Sequence, residues 1–169
     1  MPGHVGFNES FATFVGRVGA VRFFCGREGS GPDSVKCLRA QARWRDFRRF
    51  SAYLDPFVEE LEALYGDPDL TYDEKVARRE EVFARALQRF DAEITPELEA
   101  FTFGGFRDTP LNNATLLSRI RYYDRLGAFE AFLEAHDGDL VATLADLKER
   151  ARTVDDPFEL LPTPSTPGS

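Results

Sequence analysis

The sequence predicts an all-α protein of five or six helices. Apolar residues recur at the three- to four-residue spacing of a helix face along several long segments. Clusters of Gly, Pro, Asp and Ser, which favour turns and helix ends, separate those segments. A length of 169 residues allows one domain with its own core, and 16 phenylalanines predict that this core is rich in aromatic rings.

The first helix is predicted over residues 8–25. Asn8 is a favourable N-cap, and the acidic Glu9 suits the positive end of the helix dipole. The apolar face of this helix comprises Phe11, Phe14, Val15, Val18, Val21 and Cys25. Gly26 ends the helix, and residues 27–34 have the composition of a loop.

The second helix is predicted from Ser34 to Tyr65, with Gly66 at its end. Its apolar face is interrupted by Pro56. Because proline lacks an N–H and clashes with the preceding turn, we expect the helix to bend or split near residues 53–55.

Thr71 and Glu74 have the spacing of a capping box, which predicts the start of a third helix. Residues 93–110, which follow that helix, show no regular pattern. The three phenylalanines in the second half of this stretch either form a short extended segment or cover the core.

A further helix is predicted over residues 112–126, and Gly127 interrupts it before the helical pattern resumes to Gly138. A last amphipathic helix covers residues 139–151. All these segments belong to one predicted helical domain over residues 1–154. The Pro-, Ser- and Thr-rich tail over residues 155–169 lacks a core-forming pattern, so we expect it to be disordered.

The net charge of −8 argues against a nucleic-acid partner and against an anionic membrane surface. The arginines around Trp44 could form a nucleic-acid patch, but the acidity of the chain favours a solvated helix face. No apolar run approaches the roughly 20 residues that span a bilayer, and no signal-peptide pattern is present. Cys25 and Cys37 either pair or remain free thiols, and the sequence leaves both alternatives open.

Glu9 lies at the start of a helix face made of small residues, since Ala12, Thr13 and Gly16 follow it at helical spacing. A carboxylate in this position could reach a metal ion held by a neighbouring helix. Acidic residues are also common at helix N-termini because they interact with the dipole. The residues alone leave both interpretations open.

The stretch from Asn8 to Ala12, Asn-Glu-Ser-Phe-Ala, resembles the third-ligand helix of zinc aminopeptidases of the gluzincin type. In that family an H-E-x-x-H helix supplies two His ligands and a general-base Glu, and a later helix supplies a third ligand in an Asn-Glu-x-Phe-Ala context. A second stretch resembles the C-terminal region of a bacterial family of putative aminopeptidases. Its matching residues are Asn112, Asn113, Ala114, Tyr122, Phe129 and Phe132.

The resemblance covers about residues 5–150 and implies a role for four residues. Glu9 would be the third zinc ligand, and Tyr122 would hydrogen-bond the oxyanion of a tetrahedral intermediate. Asn112 and Asn113 would contact the peptide substrate. The alternatives are that Tyr122 belongs to an amphipathic aromatic pair and that the two asparagines cap their helix.

The sequence departs from the family pattern because it contains no H-E-x-x-H, and only eight residues precede Glu9. The resemblance therefore implies the C-terminal helical part of such an enzyme, inactive until it is joined to the missing H-E-x-x-H region. The alternative is a non-catalytic helical interaction or scaffold protein derived from the same fold. Intact relatives resemble exported or membrane-anchored proteins, and nothing in this sequence gives a compartment.

Overall fold

The computed structural model describes residues 3–162, and within them it contains helices and no strand, which confirms the all-α prediction. Seven α-helices follow one another within residues 3–162. They are α1 (Val5–Gly26), α2 (Val35–Gly66), α3 (Tyr72–Arg89), α4 (Gly104–Arg107), α5 (Asn113–Tyr123), α6 (Leu126–Glu134) and α7 (Leu140–Arg150). A π-helical turn (Phe90–Ile94) and two 3-10 turns (Thr95–Glu97 and Pro157–Leu160) complete the regular structure.

Helices α1 and α2 run antiparallel and form the centre of the molecule. A disulfide between Cys25 and Cys37 joins the C-terminal end of α1 to the N-terminal end of α2, and the two Cα atoms lie 4.7 Å apart. Nearer the middle, the rings of Phe14 and Trp44 pack with centroids 6.1 Å apart. The structure thus decides between the two alternatives for the cysteines in favour of pairing.

Helix α1 begins earlier than predicted, at Val5, and His4 occupies the N-cap position. Asn8 is therefore not the N-cap. Its backbone N–H donates to the His4 carbonyl at 2.9 Å, which is the ordinary hydrogen bond of a first helical turn. The apolar contacts of Phe7 in the core extend the helix by this turn.

Helix α2 passes through Pro56 without splitting, so the split that we allowed for near residues 53–55 does not occur. Proline removes one backbone hydrogen bond, but Leu54 before it and Phe57 after it are both buried in the core. Packing on both sides of the proline holds the helix together. The predicted capping box at the start of α3 is confirmed, with the Thr71 N–H donating to the Glu74 carboxylate at 2.9 Å.

The stretch after α3 covers the core and forms no strand. Phe103 adopts the left-handed region with φ of 50°, and its ring stacks on Phe50 at 4.2 Å. A fully buried carboxylate, Asp46 of α2, accepts hydrogen bonds from the backbone N–H groups of residues 99, 100 and 101, at 3.0, 2.7 and 2.9 Å. This carboxylate holds the irregular chain against α2.

Helix α5 ends at Tyr123, four residues before the predicted interruption, and Gly127 lies inside α6. Arg125 makes the break, with φ of 50° in the left-handed region. On either side of it, the Asp124 N–H donates to the buried Ser10 hydroxyl and the Leu126 N–H donates to the buried Ser51 hydroxyl, both at 3.0 Å. These tertiary partners satisfy the backbone at the break.

The beginning of the tail is packed, which differs from the disorder expected from residue 155 onward. Pro157, Leu160 and Leu161 are buried, and the Phe158 ring meets Phe7 edge-on at 5.1 Å. These apolar residues make core contacts that the Pro-, Ser- and Thr-rich composition of the tail does not predict. The rest of the predicted tail, residues 163–169, lies outside the described residues. Among those that are described, no helix is long and apolar enough to cross a membrane.

Candidate functional site

Glu9 lies on the second turn of α1 and is partly buried. Within residues 3–162 its side chain makes no hydrogen bond or ion pair. The face that follows it is open, since a Cβ added at Gly16 or Gly19 would meet no atom within 4 Å. The small-residue face predicted from the sequence is therefore present, and no helix of the described chain packs closely against it at these glycines.

Ser10, next to Glu9, fixes this turn of α1 against the end of α5. Its side chain is fully buried, and its hydroxyl donates to the Arg121 carbonyl at 3.1 Å while accepting from the Asp124 N–H. Tyr122 and Tyr123 are the two residues between those contacts. The structure thus brings the backbone around Glu9 and the backbone around Tyr122 together through one serine.

The two tyrosines at the end of α5 have different environments. Tyr122 is 43% exposed, whereas Tyr123 packs against Phe47, Phe50 and Phe103 with ring centroids 5.0 to 5.6 Å apart. Burial raises the pKa of Tyr123 above its usual value. Tyr122 is thus the tyrosine of this pair whose ring remains accessible.

Asn112 and Asn113 have structural partners at the opposite end of α5. Asn112 forms a capping box with Thr115, whose N–H donates to the Asn112 side chain at 3.0 Å, so the capping alternative is confirmed for this residue. Asn113 accepts a hydrogen bond from the Tyr65 hydroxyl at 2.8 Å. The ten residues from Asn112 to Tyr122 span about 15 Å of helix, so the structure does not bring the asparagines to Glu9.

The described chain does not by itself form a zinc site. Among residues 3–162 no three His, Cys, Asp or Glu side chains lie close enough together to hold a metal ion. His136 is engaged elsewhere, with its ring nitrogens 2.8 Å from the Phe132 carbonyl and 3.1 Å from Asp146. A catalytic zinc needs three protein ligands, so Glu9 could supply at most one of them.

A cavity of about 680 Å³ opens beside the motif, between the first turns of α1 and helix α7. Its lining is mainly apolar, with three cationic or titratable groups at the edge. The lining residues are His4, Phe7, Asn8, Phe11, Leu144, Leu147, Lys148, Ala151 and Arg152. Sequence reasoning missed it, because it depends on how α7 packs against α1.

A second cavity, of about 750 Å³, is bordered by five acidic side chains. These are Asp55, Glu59, Glu62, Asp124 and Glu159. Burial, followed by repulsion from Asp124, raises the pKa of Asp55 to about 6. Burial also raises the pKa of Asp124. No sequence signal identified this pair, since α2 and the α5–α6 break bring it together.

We expect the Asp55→Asn variant to be more stable than the parent protein above about pH 7. Folding raises the pKa of Asp55, so the folded state favours the neutral acid more strongly than the unfolded state does. The protein therefore loses stability as the pH rises from about 4 to about 6. The rise from 3.8 to about 6 sets an upper limit of about 3 kcal/mol, and because water partly screens this carboxylate we expect about 1 kcal/mol.

Urea unfolding of both proteins at about pH 4 and about pH 8 would measure this difference. Asp33→Asn, at an exposed aspartate in the loop after α1, is the control, and its stability should follow that of the parent. An equal effect of Asp55→Asn at both pH values would contradict the electrostatic explanation.

A comparison with protein-family models matches residues 1–156 to a family described as "putative aminopeptidase". No curated protein and no solved structure shows a significant match to the chain.

Proposed function

The chain belongs to the putative aminopeptidase family, and from that premise we propose that it takes part in zinc-dependent removal of residues from the N-termini of peptides. In this proposal it is the C-terminal helical part of a gluzincin-type catalytic domain. The observation that supports the proposal best is the Asn-Glu-Ser-Phe-Ala motif on the first turns of α1, which Ser10 ties to the end of α5 beside Tyr122.

Glu9 is the proposed metal ligand because its carboxylate is partly buried and has no partner among residues 3–162. Tyr122 is the proposed hydrogen-bond donor to the oxyanion, since its ring is accessible and its backbone neighbours contact α1. A substrate-binding role for Asn112 and Asn113 has less support. Both already make structural hydrogen bonds at the far end of α5.

The residues of this chain do not fit a complete zinc site, and we derive no catalytic step through the metal. The two His ligands and the general base would have to come from an H-E-x-x-H segment, which the 169 residues lack. We therefore propose that the 169-residue chain alone is inactive and binds zinc weakly.

The first test is to sequence the DNA upstream of the Met1 codon and translate it in frame. An open frame that encodes H-E-x-x-H a short distance upstream would support the proposal. The longer protein should then bind one zinc ion per chain tightly and release amino acids from peptide substrates, whereas the 169-residue chain should bind zinc only weakly and release no amino acids.

The role of Glu9 is tested in that longer protein. We expect Glu9→Gln to weaken zinc affinity at least tenfold, because a carboxylate ligand is replaced by a neutral amide. Glu28→Gln, in the exposed loop after α1, is the matched control and should leave zinc affinity unchanged. Equal zinc affinity of both variants would show that Glu9 is not a ligand.

A non-catalytic interaction or scaffold function is the second candidate. It is favoured by the absence of a three-ligand cluster within residues 3–162. A stop codon directly upstream, together with cooperative melting of the 169-residue chain as a soluble species, would support this function over the peptidase.

A further inference from the structure

The part of α2 around Trp44, residues 39–50, contains five arginines, and three of them face carboxylates. Arg45 and Arg49 hydrogen-bond Glu99 at 2.9 and 2.8 Å and lower the pKa of that carboxyl to about 2. Arg48 lies 2.8 Å from Glu130 in an ion pair. These three arginines therefore form a neutralised part of the helix surface.

Arg39 and Arg43 have a different environment from these three arginines. They line a cavity of about 340 Å³ between α1 and α2, together with Arg17 of α1 and Lys36 near the start of α2. We call this cavity the cationic groove. Its charged residues are Arg17, Lys36, Arg39 and Arg43, and its apolar residues are Ala20, Phe24 and Ala40. No acidic residue lines it, and none of its four cations forms an ion pair within residues 3–162.

Two of these cations, Arg17 and Arg43, are partly buried. The Arg17 guanidinium lies over the Phe47 ring, 4.1 Å from its centroid. Its pKa is lowered, first by burial and then by repulsion from Arg43. The Nε atom of Arg43 is buried and has no hydrogen-bond partner. Considering residues 3–162, the groove thus combines positive charge that no carboxylate neutralises with a donor that no protein acceptor uses.

Burying a charged donor without a partner is costly, so a cluster of this kind is stabilised by an anion that accepts the free N–H groups. Guanidinium groups present paired donors that match the oxygens of phosphate, and several uncompensated cations favour a doubly charged anion over a single carboxylate. Phe24 and Ala20 add an apolar wall that suits an organic substituent on the anion.

We propose that the cationic groove is a binding site for a phosphate group. The disulfide contributes to its shape, because Phe24 and Lys36 directly adjoin Cys25 and Cys37 on opposite walls. The phosphate could belong to a soluble phosphate ester or to a phospholipid head group. A phosphate monoester carries up to two negative charges and a phosphodiester head group carries one, but both present phosphate oxygens to the same arginines, and experiment distinguishes them.

The test is isothermal titration of the oxidised 169-residue chain with inorganic phosphate and with phenyl phosphate. In parallel, the chain is sedimented with phosphatidylcholine vesicles that contain or lack phosphatidylglycerol. We expect saturable binding in at least one arm, and we expect Arg43→Gln and Arg39→Gln each to weaken it about tenfold, since each removes a charged hydrogen-bond donor.

Arg39 is exposed, so its variant should fold normally and keeps the test valid if Arg43→Gln proves unstable. Arg85→Gln is the matched control. Arg85 is an exposed arginine on α3 that forms an ion pair with Glu60 of α2 and does not line the cationic groove. Binding of the two soluble phosphates identifies a phosphate ester as the source, and binding of the phosphatidylglycerol vesicles alone identifies a head group. Reduction of the disulfide should weaken binding in either case.

The proposal is overturned if neither the soluble phosphates nor the phosphatidylglycerol vesicles bind. It is also overturned if Arg85→Gln weakens binding as much as Arg39→Gln does, since the attraction would then come from charge in general. Binding of a single-stranded oligonucleotide without binding of either phosphate probe would point to a different partner and would equally contradict it.

Discussion

Replacing Asp46 by alanine should destabilise the protein by about 3 to 5 kcal/mol. The Asp46 carboxylate is fully buried and accepts three backbone N–H groups, and the Arg49 guanidinium lies 3.4 Å away. Without it, three donors in the stretch that precedes Phe103 lose their acceptor. Each unsatisfied buried donor costs about 1 to 3 kcal/mol, although part of this stretch can relax toward water.

Urea unfolding of the Asp46→Ala variant would measure the loss, and hydrogen exchange at the Ala100 and Phe101 amides would localise it. The control is Asp91→Ala, which removes an exposed carboxylate 3.4 Å from Arg107 and should change stability by less than about 0.5 kcal/mol. A loss below about 1 kcal/mol for Asp46→Ala, with the two amides still protected from exchange, would show that water or a rearranged chain replaces the carboxylate.

The local features of the fold were predictable from the sequence, since they depend on neighbouring residues. The capping box of Thr71 and Glu74 is confirmed, and its two residues lie three positions apart. The helix break at Arg125 was not predictable. It depends on the hydroxyls of Ser10 and Ser51, which lie far away in sequence and satisfy the backbone on either side.

In the candidate site, too, some features were predictable from the sequence and others depended on residues far apart in it. The motif at Glu9 and the tyrosine at position 122 could be identified from the sequence through a family resemblance. The serine contact that joins their helices could not, because nothing in the sequence pairs Ser10 with Arg121. The cationic groove was also missed, since the sequence does not show which arginines of α2 meet a carboxylate and which meet Arg17.

The sequence left the state of Cys25 and Cys37 open, and their pairing leads to the second large prediction. The disulfide closes a loop with a sequence separation of 12 residues, so its reduction should cost about 3 kcal/mol of stability by restoring freedom to the unfolded chain. In a protein of this size that loss corresponds to a fall in Tm of roughly 10 °C.

Thermal unfolding with and without the reductant TCEP would measure this shift, and alkylation followed by mass spectrometry would count the free thiols. Cys37 is fully buried, so the control is the double variant Cys25→Ala and Cys37→Ala, which avoids placing a polar group in the core. It should melt near the reduced protein and should not respond to TCEP.

Two alkylated thiols in the untreated protein would contradict the pairing. An unchanged Tm after complete reduction would instead show that the contacts between α1 and α2 hold the loop without the covalent bond.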